Sequence, residues 1–153
     1  MQVKYINPFT KATVNLFKNF LEVTIEPGKP FLKEDPYDLE EVSGIIGLAG
    51  ETTGAVVMSF SRETAIAAIS KMERTTYQAL SRAVIDGVGE LVNIIAGNAK
   101  KDLVDFRIDI SLPGVVTGNS YQIHWPEGIP VVTIPFTTDV GPLTVNVSLR
   151  DLA

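Results

Sequence analysis

Three side chains in this sequence combine type and spacing in a way that suits chemistry: Asp86, Glu90 and Asn93, with three and then two residues between them. If the surrounding segment Arg82–Lys100 is helical, about 100° of rotation per residue brings Asp86, Glu90, Asn93 and Gly97 into a sector of roughly 60°. Val84, Val88, Leu91, Val92, Ile95 and Ala99 fall on the other side and form an apolar face for a core. One helix face then carries two carboxylates and a carboxamide in a row. Arg82 precedes Asp86 by one turn and can pair with it.

Every amphipathic helix has a solvated side, and that plain reading stays open for this row. Two details set it apart. Asn is a poorer residue inside a helix than Gln, Glu or Lys, any of which a merely solvated face could use. Gly87, Gly89 and Gly97 each cost about 0.5–1 kcal/mol relative to Ala in a helix interior. Glycines beside a polar stripe lower its profile and let another surface approach. Spacing alone leaves the row suggestive.

Other chemistries find little support. The chain has no cysteine, so it offers no thiolate nucleophile, thiolate metal site or disulfide. His124 is the only histidine, which removes His-based metal clusters and leaves it a structural or surface role. Glu34-Asp35 and Glu40-Glu41 read as solvated loop charges. No P-loop or dinucleotide fingerprint occurs. No metal site and no cofactor of the protein's own is expected.

The formal charge is −5, from 13 basic and 18 acidic residues, and no run of Lys or Arg forms a basic stripe, so nucleic acid is not an expected partner. The first residues, MQVKYINPFTKATVNLF, lack the apolar stretch of a signal peptide. No segment approaches the roughly 18 uninterrupted apolar residues of a membrane span. A cytoplasmic protein is expected.

Positioning the row requires a scaffold, and 153 residues with 45% hydrophobic content suffice for one domain over 1–153. Pro8 to Val23 repeats apolar residues at spacings of three and four, predicting a helix with Pro8 near its first turn. Val42 to Leu48 and Gly54 to Phe60 flank a turn and predict a β-hairpin. Ser61 is the expected N-cap of a helix from Arg62 to Met72. The longest helix is expected from about Tyr77 to Leu103, opened by a Thr75–Gln78 capping box and closed by Lys100 and Lys101. From Arg107 onward the chain reads as β-rich, with strands at Gln122–Trp125, Val131–Thr137 and Leu143–Leu149. The last alternates apolar and polar residues and, as a terminal strand without large charges on its polar side, is expected at an unprotected sheet edge. These elements predict an α+β fold, with helices on one face of a largely antiparallel sheet.

At this point the sequence resembles a known family. Asp86, Glu90 and Asn93, with Pro113 downstream, are similar to the signature of the CheC/CheX/FliY phosphatases. The resemblance extends to Asn7-Pro8-Phe9, Gly44-Ile45-Ile46-Gly47-Leu48, Ala96-Gly97-Asn98-Ala99-Lys100, Ser111-Leu112-Pro113 and Val131–Phe136, and so covers nearly the whole chain. The motif is present once, which resembles the CheX type, whose members are homodimers with one site per subunit.

The resemblance implies a phosphatase that hydrolyses the aspartyl phosphate of a CheY-like response-regulator receiver domain, in chemotaxis or related two-component signalling. Asn93 would enter the receiver's site and orient the attacking water. Glu90 would pair with the receiver's lysine. Asp86, Gly89 and Gly97 are supporting, partner-binding positions, and Mg²⁺ would come with the receiver. Pro113 is given no role. Two other readings are a receiver-docking module without turnover and a flagellar-switch partner. A docking surface has no need of a water-positioning amide, and no extra domain or switch-binding tail is evident.

Overall fold

The computed structural model describes residues 3–35, 38–119 and 121–150. Helix α1 (Val3–Asn15) runs into a π-helical turn, Leu16–Phe20. Strands β1 (Ile25–Pro27) and β2 (Phe31–Leu32) follow, then β3 (Val42–Gly50), β4 (Gly54–Phe60), α2 (Arg62–Glu73) and α3 (Arg82–Asp102). The chain continues through β5 (Ile108–Ile110), β6 (Gly114–Thr117), β7 (Val131–Thr138) and β8 (Leu143–Leu149). The strands form one eight-stranded sheet in the order β1-β7-β8-β4-β3-β5, with β2 also on β7 and β6 also on β3, and every pairing is antiparallel. The α+β arrangement expected from the sequence is the one observed.

The core lies between the helices and one sheet face. Val42, Ile46, Val56, Met58, Phe60, Ile134, Val145 and Val147 supply the sheet side; Ile6, Phe9 and Phe17 come from α1 and its extension, and Val88, Leu91, Val92 and Ile95 from α3. The central strands contribute alternate residues, as a pleat requires, and α3 contributes the apolar stripe its spacing predicts.

Several boundaries differ from expectation. Pro8 is inside α1 and buried, not in the first turn, and Glu22, with φ of 57°, ends the segment before Val23. Helix α3 starts at Arg82, with Ser81 as N-cap accepting the Val84 amide at 3.4 Å. Thr75 forms no capping box. Its hydroxyl donates to the Glu73 carbonyl, while the Tyr77 amide donates to Ser70 Oγ at 3.1 Å and the Tyr77 hydroxyl to the Glu73 carboxylate. Tyr77 and its neighbours are therefore held against the end of α2 as a connection.

Gln122–Trp125 is not a strand. Its alternation serves a cover instead: Ile123 is buried, and the Tyr121 hydroxyl meets Ser43 Oγ and the Glu40 carbonyl. Strand β8 lies between β7 and β4, not at an edge. Its polar side is buried too, with Asn146 taking a hydrogen bond from Thr133 at 2.7 Å and donating to the Val57 carbonyl at 3.1 Å. A chain end and a sheet edge are different things. The edges fall to β1 and β2 on one side and to β5 and β6 on the other.

Candidate functional site

Helix α3 spans 21 residues and is anchored along its length. It lies against β3 at Gly44, where an added Cβ would stand 3.1 Å from Val92 Cγ1 and 3.2 Å from Val88 Cγ1. It meets α2 at Gly87, where a Cβ would come within 2.7 Å of Ile69 Cγ2. Both glycines let the helix approach closely, and the closeness fixes its height above the sheet.

On the opposite, open side stand Asp86, Glu90 and Asn93, all exposed. With Ile85, Gly89, Pro113 and Val115 they line a groove between α3 and the start of β6. Gly97 follows one turn beyond Asn93, with nothing within 4 Å of where its Cβ would be, so the backbone is open to an approaching surface there. Gly89 is buried. The surface admitted by its missing side chain belongs to the protein itself, with Val115 Cγ2 at 3.5 Å and Pro113 Cβ and Cγ at 3.7 Å from an added Cβ.

Ion pairs among the described residues join Lys4 to Asp105, Lys11 to Asp102 and Arg62 to Glu41; Arg82 and Asp86 do not pair. Both are exposed, and a base preceding an acid by one turn is the less favourable order on a helix. His124 is exposed on the irregular cover and does not line the groove. No group of three or more His, Asp or Glu side chains among the described residues is arranged to hold a metal ion. No described helix is long and apolar enough to cross a membrane. Other hollows, around Pro27, Pro135 and Pro142 and around Phe20, Ile66 and Tyr77, do not reach the α3 row.

The row is thus an exposed, rigidly mounted strip of hydrogen-bonding groups beside an apolar wall. Exposed acceptors and an amide on a fixed backbone can pair with a cation and hold a water molecule, and the convex helix face suits a macromolecular partner better than an enclosed small molecule. Pro113, which sequence reasoning left without a role, forms that wall. Its signal was the downstream proline of the signature. Ile85 and Val115 carried no signal of their own.

Comparisons with known proteins place the chain among chemotaxis phosphatases. Residues 42–137 match the family of the chemotaxis phosphatase CheX. The CheY-P phosphatase CheX of Thermotoga maritima is 30% identical over 129 residues, which span 80% of this chain and 81% of that protein. The crystal structure of a chemotaxis protein CheX from Desulfovibrio desulfuricans superposes with a TM-score of 0.87 at 29% identity, covering 95% of this chain and 98% of that one. A CheX from Borrelia burgdorferi, solved in complex with CheY, BeF₃ and Mg²⁺, superposes with a TM-score of 0.83 at 32% identity, covering 96% and 98%.

Proposed function

The chain belongs to the CheX family of chemotaxis phosphatases, and on that premise we propose that it hydrolyses the aspartyl phosphate of a CheY-like receiver domain, using Asn93 and Glu90. The observation that carries the reading is the exposed placement of these two side chains, one turn apart, on a helix locked to the sheet beneath them.

Phosphoryl transfer asks mainly for positioning and charge stabilisation. The Asn93 carboxamide accepts and donates hydrogen bonds, so it can hold a water in line with the scissile bond. The water oxygen bonds to phosphorus as the bond from phosphorus to the aspartyl oxygen breaks. The products are a free receiver carboxylate and inorganic phosphate, with the water's proton passing to phosphate or solvent. Glu90 pairs with a lysine of the receiver and sets the docking register. Asp86 supports that contact, and Gly97 leaves room for the receiver's backbone. Gly89 acts at one remove, by admitting Pro113.

The Mg²⁺ is proposed to belong to the receiver. That division is supported by the Borrelia burgdorferi complex, which holds CheX, CheY, BeF₃ and Mg²⁺ together. The protein is proposed to act in the cytoplasm, as a single domain and as a homodimer with one site per subunit.

The test is release of inorganic phosphate from a phosphorylated receiver with and without the protein. Release no faster than the receiver's own rate, with docking retained, would leave a binding module in place of an enzyme.

A further inference from the structure

Strands β5 and β6 together form an edge against β3, and that edge is interrupted beside the groove. Ile110 stands opposite Leu48 and Gly114 opposite Ile45. Ser111, Leu112 and Pro113 therefore face only Ile46 and Gly47, leaving one residue too many on the edge. This is a β-bulge, a device that re-aims a side chain at a sheet edge.

The bulge is pinned at both ends. The Ser111 amide donates to the Gly47 carbonyl at 3.0 Å, the Gly47 amide donates to Ser111 Oγ at 2.9 Å, and that hydroxyl donates to the Leu112 carbonyl at 2.9 Å. On the other side Pro113 lines the groove next to Gly89, its φ held by the ring. Leu112, between them, is 91% exposed, more than any other large apolar side chain among the described residues. A lone exposed leucine is ordinary. A leucine on a pinned backbone, one residue from the wall of a polar docking row, is an apolar contact whose backbone ordering cost is met before binding.

Resting on the phosphatase reading above, we infer that Leu112 is an affinity-determining contact, buried by the receiver domain when Asn93 enters its site. Such a contact binds ground state and transition state alike. It should act on KM and on affinity while leaving kcat alone.

The experiment compares wild type with Leu112→Ala, Leu112→Asp and Leu112→Met. It measures steady-state dephosphorylation of a phosphorylated CheY-type receiver, and Kd for the same receiver loaded with BeF₃. Leu112→Ala should raise KM and Kd about tenfold, with kcat within about twofold. Leu112→Asp should raise them further, and Leu112→Met should stay near wild type. Melting temperatures should not change, because the side chain has almost nothing to lose on the protein itself. Unchanged KM and Kd in both Ala and Asp variants overturn the inference, as does a fall in kcat at constant KM. If wild type itself releases no phosphate, the phosphatase reading has failed separately. The Kd series then decides the contact alone: a Leu112→Asp affinity equal to wild type refutes it, and a weaker one upholds it.

Discussion

Val92 of α3 packs over Gly44 of β3 so closely that a Cβ at position 44 would lie 3.1 Å from Val92 Cγ1 and 3.3 Å from the Val88 carbonyl. Neither valine has room to yield, since both are fully buried and β-branched side chains are stiff at χ1. Gly44→Ala should therefore cost about 1–3 kcal/mol by overpacking and lift the helix that carries Asn93. Chemical denaturation together with a turnover assay should show both losses in one variant. Wild-type stability would refute the overpacking, and lost stability with wild-type turnover would separate the helix height from the site.

Asn93→Ala removes the group proposed to hold the attacking water. Turnover should fall by about 10²–10³, the usual loss for one well-placed polar group, with receiver affinity preserved. Because Asn93 is exposed, the melting temperature should stay at the wild-type value. Single-turnover phosphate release and a binding titration separate the two effects. Undiminished turnover would remove the water-positioning role.

Glu90→Ala should fail differently. Losing a charge pair with the receiver weakens docking as well as turnover, and the defect should shrink as salt rises, because screening weakens the same pair in wild type. A defect that is equal at low and high ionic strength would argue against an ion pair.

Asp105 anchors the start of α1: the Tyr5 hydroxyl donates to it at 2.9 Å and Lys4 Nζ stands at 3.2 Å. The hydrogen bond from Tyr5, then that from Lys4 and its charge, hold this carboxyl below its ordinary value. A depressed folded-state pKa contributes stability above the unfolded value, and that contribution is lost as pH falls through the folded one. The melting-temperature gap between wild type and Asp105→Asn should hold steady from about pH 5 to 8 and close below about pH 4. A gap that widens on acidification would contradict the assignment.

Besides the single motif, the β2 edge favours a homodimer, since Phe31 and Leu32 are 50% and 57% exposed there while β8 is interior. Sedimentation at micromolar concentration should give twice the chain mass. A monomer at that concentration would dismiss the dimer and leave the site untouched.

What the sequence determined by itself is what depends on near neighbours. The polar row on α3 and the apolar stripe behind it follow from a 3.6-residue period, and β3, β4, β7 and β8 from alternation and bounding turns. Ser61 was legible as a cap because a cap bonds three residues ahead. The tertiary structure decided what depends on distant partners. Ser81 caps α3 in place of the expected Thr75 because Ser70 and Glu73 capture the intervening Tyr77. Gln122–Trp125 has a strand's alternation, yet its neighbour Tyr121 is held through a side-chain hydroxyl to Ser43, far away in sequence. The terminal strand became interior because β7 and β4 pair with it on both sides. The wall of the groove arose from a register count, three residues against two, that no local pattern encodes. Local periodicity sets which face a side chain takes. Long-range pairing sets what that face meets.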